Sequence, residues 1–412
     1  MKNFATAMAL VLMAGTTLGA ASPALAQAKP KVEKPVPPKL SKPILAIVMA
    51  VQKLQTAGDH AGAIAKLDES KDVPRAEKDD ALIMAKLKLY SAQTLKDNLK
   101  LEEALSEAVL APNIEAEDKT TYTKFIAGLA SNRKDYQKAW TAYEAYLAVK
   151  PDDVDMLVQA ASVNAAMNNR PRVVDLLSKA IALREAAGQK GDRSWYEFRA
   201  QSVIDGNMAD QIMPALLGWV KAFPEPRSYN TAIELTKQRA GNLDNNMLID
   251  FGRLLWTAGA MTTAGNYLEY AEAAIDRGMP NEADTVLKEG IAKKLIDPTK
   301  TGIGEIVKQA AAKNIESKAG IAALEKEAKT SPRIGLVVAD TLANLGQHDK
   351  AVPFYKGLVG AAGIDQDTVN LRLAVALMKA GDKAGAKAAF DAVKAGPRRA
   401  IAQFYDVLLA AA

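Results

Sequence analysis

Cysteine is absent from the 412 residues, and only two histidines occur, His60 and His348. Without cysteine the chain has no disulfide, no thiol nucleophile and no thiolate zinc site. It also lacks the HExxH pattern of zinc hydrolases, and the glycines at 302 and 304 lack the GK[ST] ending of a phosphate-binding loop. We therefore predict no catalytic residue, no metal ligand and no cofactor, and we interpret both histidines as packing or surface residues.

Aromatic residues are also scarce, at 6% of the chain, although 49% of the residues are hydrophobic. Alanine and leucine fill many of the apolar positions instead. This balance favours closely packed helices over sheets, in which valine, isoleucine and aromatic residues would dominate. No long alternation of apolar and polar residues suggests a strand, so we predict an all-α fold.

The positive charge is confined to the N-terminus. Residues 1–42 contain six lysines and one glutamate, and this excess of five equals the whole net charge of +5. The remaining chain is therefore neutral. A nucleic-acid-binding protein would concentrate lysine and arginine on its folded part, so we predict no nucleic-acid partner.

The first residues have the pattern of a bacterial export signal. Lys2 is followed by an uncharged run over residues 5–21, and Ala24-Leu25-Ala26 matches the small-residue cleavage pattern. We expect residues 1–26 to be removed, so that the mature protein begins at Gln27 and is periplasmic or secreted. No later segment reaches about 18 uncharged apolar residues, and no cysteine is present for a lipid anchor, so we expect a soluble protein without a transmembrane anchor.

Residues 27–42 are rich in proline and lysine and cannot bury a core. We predict an extended linker. Its simpler role is a spacer that leaves the signal peptide accessible. Alternatively, its lysines contact anionic envelope polymers or lipid headgroups.

The clearest organised segment is 120–153. Two apolar stripes with helical spacing are separated by the polar run 131–135, and Pro151 ends the second stripe. The stripes contain Phe125, Ile126, Leu129 and Ala130, then Tyr136, Ala139, Trp140, Tyr143 and Tyr146. Ala139 is expected where the two helices touch, whereas Lys138 is expected on the solvated face.

This unit resembles the tetratricopeptide repeat, a 34-residue helix–turn–helix in which a small residue allows close helix packing. Ala139 and Val173 are 34 residues apart, and Ala351 and Ala386 are 35 apart. The resemblance is strongest at 44–70, 120–153, 264–295 and 332–394. It implies an all-α, right-handed superhelical solenoid of antiparallel helix pairs.

We place the N-terminal and middle solenoid at 43–296 and the C-terminal repeats at 297–412, because 297–304 contains proline and two glycines. A last helix from Pro397 is expected to cap the open end of the stack. The middle, 187–260, departs from the repeat pattern.

The resemblance further implies a concave groove lined by the first helix of each pair. The groove candidates are Lys124, Asn132, Gln159, Arg333, Asp340, Asn344, Arg372 and Lys379. In the C-terminal pairs the charged candidates surround Leu336, Leu371 and Val375, the arrangement of a protein-binding surface. Arg372 and Lys379 are expected to be exposed, so that their replacement would leave the fold intact.

We predict a non-enzymatic scaffold or adaptor that binds another envelope protein or a peptide segment. One alternative is a direct binder of cell-wall polymer such as peptidoglycan. A second is the solenoid of a wall-cleaving enzyme, because Glu316-Ser317 resembles the Glu-Ser pair of soluble lytic transglycosylases. The glycine-rich segment and aromatic cleft of that family are missing downstream, and repeats occupy the chain from residue 332.

Overall fold

The computed structural model describes residues 38–328 and 331–411, without the side chains of 316–323. The predicted signal peptide and residues 27–37 of the predicted linker lie outside these residues, as does the side chain of Glu316. The described chain contains twenty α-helices and no strand, which confirms the all-α prediction. The helices are α1 Lys42–Thr56, α2 His60–Glu69, α3 Asp80–Leu95, α4 Asn98–Val109, α5 Ala116–Asn132, α6 Tyr136–Val149, α7 Val154–Ala166, α8 Arg170–Ala186, α9 Arg193–Asp205, α10 Ala209–Ala222, α11 Pro226–Arg239, α12 Asn245–Thr257, α13 Ala264–Asp276, α14 Pro280–Ala292, α15 Ile303–Glu327, α16 Pro332–Asn344, α17 His348–Leu358, α18 Gln366–Lys379, α19 Lys383–Ala392 and α20 Gly396–Ala411.

One turn geometry recurs between the two helices of five pairs. A residue with positive φ precedes an Asp or Asn whose side chain caps the next helix. Between α5 and α6, Lys134 has φ of 65°, and Asp135 accepts a hydrogen bond from the amide of Lys138 at 3.2 Å. The cap satisfies an amide that has no partner within the helix. The equivalent residues are Gly58–Asp59, Lys96–Asp97, Asn168–Asn169 and Gly381–Asp382.

The small residue predicted at the helix contact lies four positions after the cap. Ala63, Ala139, Val173 and Ala386 occupy this position in four of these pairs, and each is 0% exposed. Because cap and contact lie one helical turn apart, the turn fixes which face of the second helix meets the first. The predicted burial of Ala139 is confirmed.

Replacing Ala139 by leucine should overpack this contact and lower the free energy of unfolding by about 1–3 kcal/mol. The matched control is Gln137→Ala, because Gln137 lies on the exposed face of the same helix. Lys138 is unsuitable because it is paired: its side chain is 39% exposed, as expected for the solvated face, but its Nζ lies 2.5 Å from Oε1 of the buried Glu102. Denaturant unfolding should separate the two variants, and equal losses would show that the assigned helix register is wrong.

Successive first helices touch one another as well as their own partners. α1 contacts α3, α13 contacts α15, and α16 contacts α18. Such contacts are expected on the inner face of a curved stack, where successive units lie closest together. These three contacts fit the inner surface that the resemblance implies, which stays a prediction for the other first helices.

The middle of the chain is less regular than its flanks. α9 packs closely on α10, whereas α11 contacts both α10 and α12 more sparsely than the helices of a regular pair do. α12 instead packs closely against α13. One apolar core nevertheless runs from Val174 to Leu409, so the middle helices and the C-terminal repeats share buried side chains.

The last helix does not act only as a cap. Besides α18 and α19, α20 contacts α10, α11 and α12 in the middle of the chain. Its apolar face carries Ile401, Phe404 and Tyr405, each at most 1% exposed. Packing of this face between the middle helices and the C-terminal repeats removes it from water. The predicted end cap therefore also contacts the middle of the chain.

No helix among residues 38–328 and 331–411 combines the length and the apolar character needed to cross a membrane.

Candidate functional site

Where the C-terminal repeats meet the middle helices, a cluster of buried charges joins them. Its centre is Asp250 on α12, which is 2% exposed. One carboxylate oxygen accepts a hydrogen bond from Nε of Arg372 at 3.0 Å, and the other accepts one from Nε of Arg398 at 2.8 Å. Arg372 belongs to α18 and Arg398 to α20, so one carboxylate connects three helices.

A third arginine, on the same helix as Asp250, extends the cluster. Arg253, one turn after Asp250, makes two hydrogen bonds to the carboxylate of Glu282 on α14, at 2.8 and 2.9 Å. It also lies 3.7 Å from Asp340 of α16 and donates to the amide oxygen of Asn344 at 3.3 Å. The paired contacts with Glu282 match the planar geometry of guanidinium and carboxylate groups.

Asp340 completes the set of paired charges. It accepts hydrogen bonds from Nη1 of Arg372 at 2.5 Å and from the hydroxyl of Tyr355 at 2.6 Å. Asp250, Glu282 and Asp340 thus balance Arg253, Arg372 and Arg398. Because opposite charges are equal in number and hydrogen-bonded, they can remain ionised away from water. We call these six residues the closure cluster.

The electrostatics of the cluster favour its ionised form. Burial alone would raise the pKa of Asp250, but the charges of Arg372, Arg398 and Arg253 outweigh this effect and hold its pKa below the ordinary value. Burial likewise acts to lower the pKa of Arg253, yet the carboxylates of Glu282 and Asp340 raise it well above the usual range. Each charge is therefore stabilised by its partners.

The lowered pKa of Asp250 predicts a specific acid sensitivity. The unfolded chain, with an aspartate pKa of about 3.9, binds the proton more readily than the folded chain does. The stabilisation from Asp250 should be complete above that pH and should be lost as the pH falls through the lower folded value. Asp250→Asn should therefore reduce the slope of unfolding free energy against pH below about 4, whereas Asp72→Asn, at an exposed position, should not. Identical slopes for wild type and Asp250→Asn would contradict this assignment.

A cavity of about 320 Å³ lies beside the closure cluster. Its wall combines members of that cluster with apolar side chains of α12, α16 and α18. The lining residues include Asp250, Arg253, Trp256, Glu282, Ala343, Asn344, His348, Leu371, Arg372, Val375, Ala376, Lys379 and Tyr405. The lining residues come from both the middle helices and the C-terminal repeats. Among the described residues, the cavity therefore exists only when these two parts pack together.

No protein-family model and no curated protein matches the chain. Several solved helical-repeat structures are similar to it at low identity. A crystal structure of MamA protein is 13% identical, with 43% of this chain and 91% of that chain covered and a TM-score of 0.28. A tetratricopeptide repeat protein from Parabacteroides merdae is 13% identical, covering 66% of this chain and 100% of its own, with a TM-score of 0.27. The tetratricopeptide domain of P58(IPK) is 12% identical over 90% of this chain and 99% of its own, with a TM-score of 0.23.

These TM-scores are too low to support an assignment of the fold, so the assignment depends on the geometry of this chain. The repeated capped turn and the buried small residue four positions later recur in pairs at both ends of the described chain. The chain has a tetratricopeptide-like fold. This tetratricopeptide-like arrangement extends over the described helix pairs, with the middle helices α11 and α12 departing from regular pairing.

The C-terminal groove candidates lie on the inner face, but not all of them face solvent. Arg333 is exposed, whereas Asp340 and Arg372 are 2% and 4% exposed within the closure cluster. The expectation that Arg372 is an exposed charge is wrong, because its side chain is buried against Asp250 of α12 and Asp340 of α16. Asn344 is half-buried beside Arg253, and Lys379 lines the cavity.

The N-terminal candidates have a different environment. Lys124 is half-buried, pairs with Asp153 at 3.1 Å and lies 5.4 Å from the centre of the Tyr146 ring. Asn132 and Gln159 are exposed, and Gln159 accepts a hydrogen bond from the hydroxyl of Tyr143 at 2.9 Å. These three candidates lie on the first helices α5 and α7.

Four members of the closure cluster were missed in the sequence, namely Asp250, Arg253, Glu282 and Arg398. Asp250 is 122 residues from Arg372 and 148 from Arg398, so no local spacing connects them. The only available signal was an ionisable residue within an apolar stretch: Ile249 and Phe251, the neighbours of Asp250, are at most 1% exposed.

Proposed function

We propose that the chain is a non-enzymatic scaffold that binds an extended segment or a helix of another protein through α5 and α7. Helical repeats of this type commonly present such inner surfaces to protein partners. The observation that carries the proposal is the contrast between the two parts of the inner face. In the C-terminal part, Asp340 and Arg372 are buried within the closure cluster, whereas α5 and α7 leave Asn132 and Gln159 exposed.

Gly128 provides a direct test of this surface. It lies within α5, and a Cβ atom added there would have no heavy atom within 4 Å. Gly128→Arg should therefore place a bulky charged side chain on the surface without disturbing the packing. The matched control is Gly357→Arg, because Gly357 lies within α17, a second helix, and also has open space around it.

The partner is proposed to be a cell-envelope protein, because the first 26 residues have the pattern of an export signal. Crosslinking in cells and recovery from a periplasmic extract should yield a partner with wild type and with Gly357→Arg. Recovery should fall about tenfold or more with Gly128→Arg, since a central obstruction in an interface costs over 1.4 kcal/mol. Equal recovery with both variants would show that the partner binds to a different surface.

The salt dependence of binding distinguishes a protein partner from the polymer alternative. Binding of peptidoglycan through lysines should weaken steeply as salt rises, whereas a packed protein interface should persist. N-terminal sequencing of the exported protein tests the location, with Gln27 as the expected first residue; a retained Met1 would refute export by this signal.

A further inference from the structure

The cavity beside the closure cluster has a chemical character that the scaffold role does not explain. Three of its lining residues have a buried nitrogen without a hydrogen-bond partner among the described residues. They are Nη2 of Arg372, Nδ2 of Asn344 and Nδ1 of His348. The first two can only donate. Buried donors without partners are uncommon because each loses its hydration, so the wall has spare donors at Arg372 and Asn344, beside the unpaired hydroxyl of Tyr405.

The charges around the cavity also favour an anion. The lining contains two acidic residues, Asp250 and Glu282, and three basic ones, Arg253, Arg372 and Lys379. Both carboxylates already accept hydrogen bonds from arginines, so neither needs a further cation. The surplus is one positive charge.

Lys379 is the cation that remains available. It is an exposed residue on the last turn of α18, and no ion pair forms between it and the described carboxylates. Partial burial of its ammonium lowers its pKa. Burial, followed by the charge of Lys379, also lowers the pKa of His348, which keeps this imidazole neutral near pH 7.

The rest of the wall is apolar. Trp256, Leu371 and Val375 line it together with Ala343 and Ala376. A volume of about 320 Å³ is at the small end of ligand sites, which span about 300–1,000 Å³. Together with a single surplus charge, these features select a small ligand that carries one anionic group on an apolar body.

We propose that this cavity binds a small organic monocarboxylate, whose carboxylate is held by Lys379 and the spare donors and whose apolar part contacts Leu371 and Val375. Its wall comes from α12, α16 and α17, α18 and α20, so the ligand would contact both sides of the junction. Binding would therefore stabilise the packing of the C-terminal repeats on the middle helices.

Calorimetric titration of the full mature chain with hexanoate and with benzoate tests this site. Each is expected to bind saturably at one site per chain and to raise the melting temperature. The matched neutral probes, hexanamide and benzamide, should bind at least tenfold more weakly, because they lack the charge. Inorganic phosphate should also bind more weakly, because it has no apolar part.

Two variants locate the binding. Lys379→Gln should weaken hexanoate at least tenfold, which corresponds to about 1.4 kcal/mol, while Lys350→Gln, at an exposed position on α17, should leave affinity unchanged. Val375→Trp should abolish binding by filling the cavity. The proposal would be overturned by no saturable binding to wild type up to 10-millimolar probe, on the order of the weakest specific affinities. Equal affinity of Lys379→Gln and wild type, or of carboxylate and amide, would also overturn it.

Discussion

Asp250→Ala is expected to lower the free energy of unfolding by about 3–5 kcal/mol, because it leaves buried guanidinium groups without their carboxylate. Arg372 and Arg398 both donate to this side chain, and Arg372 is 4% exposed, so both guanidinium groups lose a buried acceptor. The loss should be concentrated where α12 meets α18 and α20.

Hydrogen exchange is the appropriate measurement, because repeat proteins unfold in parts and one unfolding free energy does not describe them all. Amides of α12, α18 and α20 should lose protection, while those of α5 and α6 should keep it. Asp72→Ala is the control, since Asp72 is exposed and should change stability by no more than about 0.5 kcal/mol. Uniform loss of protection along the chain would contradict a junction held locally by Asp250.

Phe404→Ala should lower the free energy of unfolding by a comparable amount, but through the loss of apolar packing rather than of charge pairing. Phe404 is 0% exposed on α20, and truncation of a buried phenylalanine typically costs about 3–5 kcal/mol through lost transfer energy and a residual cavity. Because α20 contacts α10, α11 and α12, we expect this helix to detach from the middle before the regular N-terminal pairs unfold. Hexanoate binding should be lost in the same variant.

Leu110→Ala provides the control for Phe404→Ala, because Leu110 is 83% exposed and its truncation should be nearly neutral. Small-angle scattering should show an increase in the radius of gyration for Phe404→Ala alone. An unchanged radius together with unchanged protection of α20 would indicate that this phenylalanine does not hold the junction. Recovery of the proposed protein partner through α5 and α7 should be preserved, which separates the two surfaces.

The sequence predicted the helices well where each was specified by neighbouring residues. The pair around 120–153 has its turn at the predicted polar run. The environment expected for two groove candidates on α16 and α18 was wrong: Asp340 and Arg372 were expected in solvent and are buried.

The sequence by itself determined the local repeat. A residue that tolerates positive φ, an Asp or Asn cap and a small residue four positions later act within one turn of helix, so their chemistry is visible in a short window. Only the tertiary structure decided that α20 packs on the middle helices and that Asp250 meets Arg372 and Arg398 across more than 100 residues. Small rotations between successive pairs add along the stack, and their sum determines which distant side chains meet.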